Sequence, residues 1–171
     1  MLTALLGPSS VERAGATTTN YQYYFTKNWG DPWQSELSLW FVGDPTYTTK
    51  VASWRSGSGT GTLAQATDEC RVNHGWLPSL TYWFTGWSWN WGGGVIQGPV
   101  LQLPNVQCWN GTWRTELFVH STYPWSESHY RSMGCIKVSN TGGPSPASGD
   151  ILNVVFLYHW YGQPLALTVR S

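Results

Sequence analysis

Short segments of alternating apolar and polar residues, separated by glycine- and proline-rich turns, constrain this 171-residue chain more than any other feature. Alternation at period two is typical of β-strands with one buried face. No window has a convincing helical period of 3.6 residues, and only residues 64–71 are compatible with one short helix. The sequence therefore predicts a mainly β fold, a sandwich or open barrel of mixed sheets with little helix.

The expected strands follow from that alternation. Segments 36–42 and 47–54 flank a turn at residues 43–45, so we expect them to form a hairpin. Residues 151–158 (ILNVVFLY) are the most apolar segment and are expected to form a central strand, with 165–169 as an edge strand. The remaining expected strands are 77–84, 95–103, 115–120 and 134–138.

The composition limits domain number and partners. Nine Lys and Arg residues balance nine Asp and Glu residues, so a nucleic-acid partner is not expected. No apolar run approaches the length of a transmembrane segment. Residues 8–20 are polar and aperiodic, so we expect a flexible N-terminal arm over 1–20 and one domain over 21–171. The apolar start, MLTALLG, is too short for a signal peptide and leaves the delivery route open.

Tryptophan is unusually frequent, with 13 residues, and segment 83–91 (WFTGWSWNW) holds more rings than one core face accommodates. Large rings often fill a small core. Exposed rings, in contrast, usually contact a partner. The segment is thus compatible with core packing or with a groove for sugar or peptide.

Cysteine and histidine supply the candidates for chemistry. The three cysteines are Cys70, Cys108 and Cys135, an odd number. If Cys135 is a reactive thiol, the other two either form a disulfide in an oxidising compartment or remain inert core thiols. No paired short-range ligand spacing is present, so neither a metal nor another cofactor is expected.

The most informative segment is 118–140, in which one strand ends near His120 and another begins near Cys135. Neighbouring strands can bring the imidazole beside the sulfur. A thiol needs this, because the thiolate is the nucleophile and a base must remove the proton. Gly134 suits a tight turn or a close approach to substrate. The N–H groups of Gly134 and Cys135 are then candidates to face a developing oxyanion.

This segment resembles the active-site motif of the L,D-transpeptidase (YkuD-like) catalytic domain. That motif has a His, a loop, then Ser/Thr-x-Gly-Cys, an apolar residue and often a basic residue. Here it reads HS at 120–121 and SMGCIK at 132–137, and the stretch HSTYPWS is similar to the actinobacterial branch. The segments 35–44 and 149–155 resemble the family's opening hairpin and closing strand, so the resemblance spans roughly residues 34–159.

The resemblance implies a reaction on peptidoglycan stem peptides outside the cytoplasm. Cys135 would attack the carbonyl of the diamino acid in a stem tetrapeptide, releasing the terminal D-Ala and forming a thioester. An amine would resolve the thioester to a cross-link, and water would resolve it to a tripeptide. His120 would take the thiol proton, and Ser121 would orient His120 through its backbone carbonyl.

Further roles come from the same resemblance. Ser132 and Gly134 would shape the oxyanion loop, whereas Met133 stands where the family usually has His or Arg. Lys137 matches the family's basic position and would meet a substrate carboxylate. The other residues expected to bind substrate or supply the missing polar group are Arg114, Tyr123, Trp125, His129 and Arg131.

Three functions stay open at the level of sequence. The first is a transpeptidase, a transferase that makes stem-peptide bonds. The second is a hydrolase with the same site, such as an L,D-carboxypeptidase or a wall-degrading toxin or phage product. The third is a non-catalytic, tryptophan-rich module that binds cell-wall glycan, which the change at Met133 favours. The sequence does not indicate the oligomeric state.

Overall fold

A computed structural model describes residues 20–44, 47–92, 96–121, 130–139, 150–161 and 165–170. Within these ranges a nine-stranded mixed sheet curls into a half-barrel, and two further strands form a small separate sheet. The expectation of a mainly β fold with little helix is confirmed. The predicted arm falls almost wholly on residues 1–19, outside the described ranges.

The main sheet has the strand order β4-β11-β1-β2-β3-β10-β9-β6-β5. Among the strands of the described ranges, the pairs β1–β11 and β9–β10 are parallel, and the other pairs in this sheet are antiparallel. Strands β7 and β8 form the small sheet. The elements are β1 (Tyr21–Thr26), β2 (Ser35–Asp44), β3 (Tyr47–Gly57), α1 (Leu63–Ala66), β4 (Thr81–Trp83), β5 (Gly86–Trp91), β6 (Gly98–Gln102), β7 (Val106–Gln107), β8 (Trp113–Arg114), β9 (Phe118–Ser121), β10 (Ile136–Val138), α2 (Asp150–Trp160) and β11 (Ala166–Arg170).

The predicted hairpin is formed by β2 and β3. Their alternation sends one set of side chains into the core, where Leu37 lies opposite Trp54 across the pair. Strand β1 lies on the other side of β2 and continues this buried face, because its Tyr23 lies opposite Leu39 of β2. The aromatic β1 was not among the strands expected from the sequence.

The segment expected to be the central strand is instead the helix α2, and that prediction was wrong. Its buried residues are Ile151, Val154, Val155 and Tyr158, a spacing that matches one face of a helix. The segment is apolar almost all round, so its composition alone did not distinguish a buried helix from a buried strand. The helix packs on the sheet, and the Tyr23 hydroxyl on β1 donates to the Val154 carbonyl at 2.8 Å.

Other boundaries also differ from expectation. Strand β11 is not an edge strand, because it lies between β1 and β4. The expected strand 77–84 shortens to Thr81–Trp83, and the expected helix 64–71 shortens to α1, which begins after a capping box of Thr62 and Gln65. No helix of the described ranges is long and apolar enough to cross a membrane.

The packing of α2 is tested by truncating neighbouring valines. Both Val154 and Val155 are fully buried, whereas Leu152 is 39% exposed. We expect Val154→Ala and Val155→Ala each to lower the free energy of unfolding by about 2 kcal/mol, measured by chemical denaturation. Leu152→Ala is the control and should cost well under about 1 kcal/mol. A neutral result at either valine would contradict the burial of both side chains between α2 and the sheet.

Candidate active site

The parallel pairing of β9 with β10 divides their side chains between two faces of the sheet. His120 lies opposite Lys137, and Val119 lies opposite Ile136. Val119 and Ile136 point into the hydrophobic core. Because side chains alternate along a strand, His120, Lys137 and Cys135 share the other face. All three line one cavity of about 740 Å³.

The Cys135 thiol lies directly before β10 and is buried. Its sulfur donates a hydrogen bond to the backbone carbonyl of Glu116, with the sulfur and oxygen 3.4 Å apart. Burial raises the pKa of this thiol to about 11, an effect opposed by the backbone N–H of Phe118 and the positive charges of Lys137 and Arg114. The resting sulfur is therefore a protonated thiol at neutral pH.

The His120 imidazole is buried on the neighbouring strand. Burial, together with the positive charge of Lys137, lowers the pKa of His120 to about 3. The backbone carbonyl of Ser121 accepts a hydrogen bond from the ring and opposes this shift. The imidazole is thus neutral at neutral pH, and the Ser121 backbone carbonyl orients one of its ring nitrogens.

The loop before Cys135 is held by backbone contacts. The Ser132 N–H donates to the Gly59 carbonyl at 2.9 Å, and the Ser58 hydroxyl donates to the Gly134 carbonyl at 3.4 Å. The Ser132 hydroxyl donates to the Cys135 carbonyl and accepts from the Gly134 N–H, the latter at 3.4 Å. The segment around Ser58 is buried and supports this turn. The Gly134 N–H, a predicted oxyanion donor, is directed at Ser132.

Arg114 is buried beside this loop, although the sequence offered it as a ligand for a substrate carboxylate. Its guanidinium donates to four backbone carbonyls. These belong to Glu69, to Gly75 at 2.8 Å, to Met133 at 3.1 Å and to Trp76 at 3.3 Å. Arg114 therefore fixes the position of the loop that leads into Cys135.

The remaining predicted binding residues divide into two groups. Arg131 lines the cavity, with its guanidinium 4.0 Å from the centre of the Trp33 ring and a 3.4 Å hydrogen bond to the Gly61 carbonyl. Met133 also lines it and is 62% exposed. Three others, Tyr123, Trp125 and His129, lie outside the described residues.

Glu116 is a site residue that the sequence analysis missed. Its backbone φ of 55° lies in the left-handed region, which is uncommon for a residue other than glycine. This conformation accompanies the hydrogen bond between its carbonyl and the Cys135 thiol. Its side chain lines the cavity. No turn motif in the sequence signals such a backbone at this position.

The tryptophan-rich segment contributes both to the cavity and to the surface. Trp91 lines the cavity and packs against Phe118, with ring centres 5.4 Å apart. Trp83 and Trp89 are exposed. The segment is therefore neither wholly a core element nor wholly a groove.

Cys70 and Cys108 are neighbouring free thiols, both buried, and are not joined by a disulfide. The Cys108 sulfur also donates to the Glu69 carbonyl at 3.5 Å. Burial raises the pKa of Cys108 to about 12, so it is an inert thiol at neutral pH. Among the described residues, no cluster of three or more His, Cys, Asp or Glu side chains suits a metal ion.

The close packing of Gly134 against Arg114 gives a test of the loop. Gly134 has a φ of 128°, and a Cβ atom there would collide with the Arg114 guanidinium. We expect Gly134→Ala to lower the free energy of unfolding by at least about 2 kcal/mol in chemical denaturation. Gly111→Ala is the control for backbone strain alone, because Gly111 has a φ of 84° and open space around it. If Gly134→Ala and Gly111→Ala lower the free energy of unfolding equally, a clash with Arg114 is ruled out.

The burial of neutral His120 predicts a pH dependence of stability. Its folded-state pKa of about 3 lies below the ordinary value of 6.5, so the folded protein binds fewer protons between these values. Stability should fall as pH falls through this window, by up to about 1.4 kcal/mol per pH unit. His120→Gln should remove that slope in denaturation measured from pH 7 to 4, and Cys135→Ala should retain it. An unchanged slope in His120→Gln would show that His120 is not buried neutral.

The sequence matches no protein-family model and no curated protein. The structure is similar to that of Bd1075 from Bdellovibrio bacteriovorus, with a TM-score of 0.56 and 10% sequence identity. The match covers 88% of this chain but only 47% of that chain, so this chain spans about half the length of Bd1075. At such low identity the likeness concerns the fold, and it supports the arrangement of strands that carries the cavity.

Proposed function

We propose that this chain is a cysteine-dependent acyltransferase of the L,D-transpeptidase type that acts on peptidoglycan stem tetrapeptides outside the cytoplasm. The observation that carries the proposal is the shared face of β9 and β10. There His120 on β9 and Cys135, directly before β10, line the same cavity. The motif SMGC supplies the resemblance to the family.

The proposed reaction begins from a neutral thiol and a neutral imidazole. Cys135 sulfur forms a bond to the carbonyl carbon of the diamino acid while its proton passes to His120. The raised pKa of Cys135 and the lowered pKa of His120 disfavour a resting thiolate–imidazolium pair. Proton transfer therefore accompanies the attack. The C–N bond to D-Ala then breaks, the leaving nitrogen takes the proton from His120, and a thioester remains.

The cavity suits a peptide substrate in size and lining. Its volume of about 740 Å³ lies within the usual range for ligand sites, roughly 300–1,000 Å³. Apolar side chains such as Trp91, Trp113 and Met133 share its wall with the charged Glu116 and Arg131. A stem peptide combines apolar alanine side chains with amino and carboxyl groups, which matches that mixture.

Two other functions have observations in their favour. Resolution of the thioester by water would make the chain an L,D-carboxypeptidase or wall-degrading hydrolase. The exposed cavity residues Trp113 and Met133 show that the cavity opens to solvent. A non-catalytic glycan-binding module is favoured by the exposed rings of Trp83 and Trp89 and by the protonated resting state of Cys135. Sugar faces stack on exposed rings of this kind.

The proposal is tested by incubating the protein with purified disaccharide-tetrapeptide and analysing the products by mass spectrometry. We expect loss of D-Ala together with formation of a cross-linked dimer. Cys135→Ala should abolish both products, because the thioester no longer forms, and His120→Gln should reduce their rate by at least about 100-fold.

Cys108→Ala is the matched control, since it removes a buried thiol that does not line the cavity. It should retain the wild-type products. Loss of D-Ala without dimer would assign the carboxypeptidase. If wild-type protein gives no product from the tetrapeptide, the enzymatic proposal fails and glycan binding becomes the function to test.

A further inference from the structure

One cation shares the face of the sheet that carries Cys135 and His120. Lys137 follows Cys135 by two residues, and Cys135 lies directly before the strand that carries Lys137. Residues two apart in extended backbone project in the same direction, and both residues line the cavity. The register of β9 and β10 sets Lys137 directly opposite His120. Lys137 is half-buried and lines the same cavity. It is therefore a neighbour of both reacting groups.

A thiolate in such a buried position needs a positive charge nearby, because removing a charge from water is costly unless it is paired. In many cysteine enzymes a protonated histidine supplies that charge. His120 is poorly suited to hold a positive charge in the resting site, and it becomes charged only for as long as it carries the thiol proton. It is buried, and an imidazolium there would stand opposite the ammonium of Lys137. Two adjacent buried cations repel each other.

The other charged groups around Cys135 are less suited than Lys137 to pair with a thiolate. Arg114 on β8 uses its guanidinium for four backbone carbonyls. Glu116, in the loop before β9, is negative and opposes a thiolate. Arg131 stacks on Trp33. Among the described residues Lys137 has no ion-pair partner of its own.

We propose that the ammonium of Lys137 is the counter-ion of the Cys135 thiolate, and that His120 only carries the proton. This inference rests on the proposed function and goes beyond the carboxylate-binding role that the family resemblance implies for Lys137. As the S–H bond breaks during the attack, its proton passes to His120 and the negative charge that develops on sulfur faces Lys137. That charge moves to the oxyanion as the C–S bond forms. Lys137 stays protonated throughout.

The test measures alkylation of Cys135 by iodoacetamide from pH 6 to 10, followed by mass spectrometry of the peptide that contains Cys135. The reagent is neutral and no substrate is needed. Lys137→Met should slow alkylation about tenfold at a given pH, since losing a nearby opposite charge raises a thiol pKa by about one unit or more. Lys137→Arg should restore the rate to within about threefold of wild type.

Two further variants separate the roles. His120→Gln exchanges one neutral side chain for another, so its alkylation rate should stay within about threefold of wild type even though turnover is lost. Lys50→Met is the matched control. Lys50 on β3 forms an exposed ion pair with Glu36 on β2 and does not line the cavity. Lys50→Met should therefore leave the alkylation rate of Cys135 unchanged.

The proposal is overturned if Lys137→Met alkylates at the wild-type rate, or if His120→Gln slows alkylation more than Lys137→Met does. A wild-type alkylation rate combined with a raised KM for tetrapeptide would instead make Lys137 a ligand of the substrate carboxylate. Tryptophan fluorescence and circular dichroism check folding, and Lys137→Gln replaces Lys137→Met if the latter is unfolded. Alkylation requires no turnover. If the protein does not act on tetrapeptide, the alkylation rates therefore still test the role of Lys137.

Discussion

The buried guanidinium of Arg114 is the interaction on which the geometry around Cys135 depends. A cation without water is stable only when its donors are satisfied, and here four backbone carbonyls satisfy them. Those carbonyls come from the segment 69–76 and from Met133, which are far apart in sequence. The Arg114 side chain thus joins segment 69–76 to the turn that precedes the Cys135 thiol. Gly134 is required there because the guanidinium occupies the space of a side chain.

The sequence predicted correctly those strands whose local pattern matches their surroundings in the folded protein. The β2–β3 hairpin has clear alternation around a turn, and both strands keep one buried face. Helix α2 shows the opposite case. Residues such as Val154 and Val155 favour strands locally, yet they are adjacent and both buried against the curled sheet. Only the presence of that sheet, which no local window contains, makes a helix the better way to bury them.

The same distinction applies to the candidate site. Cys135 and His120 were predicted as candidates because they lie in a short motif at the ends of two expected strands, and the pairing of β9 with β10 brings both residues to one face. The roles of Arg114 and Glu116 depend on backbone carbonyls supplied by distant segments, or on a left-handed backbone held by its neighbours. Neither leaves a spacing that a reader of the sequence could recognise. The burial that shifts the pKa values of Cys135 and His120 is likewise a property of the assembled sheet.

The alternation of faces along β10 also limits how this protein can tolerate insertions and deletions. Adding or removing one residue between Gly134 and Val138 would turn Ile136 toward the cavity and send the neighbouring thiol or amine into the hydrophobic core. Length changes upstream of Ser132 should leave that alternation intact, because Arg114 and Gly59, from other parts of the chain, hydrogen-bond the turn at Met133 and Ser132. Relatives that keep this chemistry should therefore vary in length before the turn and be invariant in length within it.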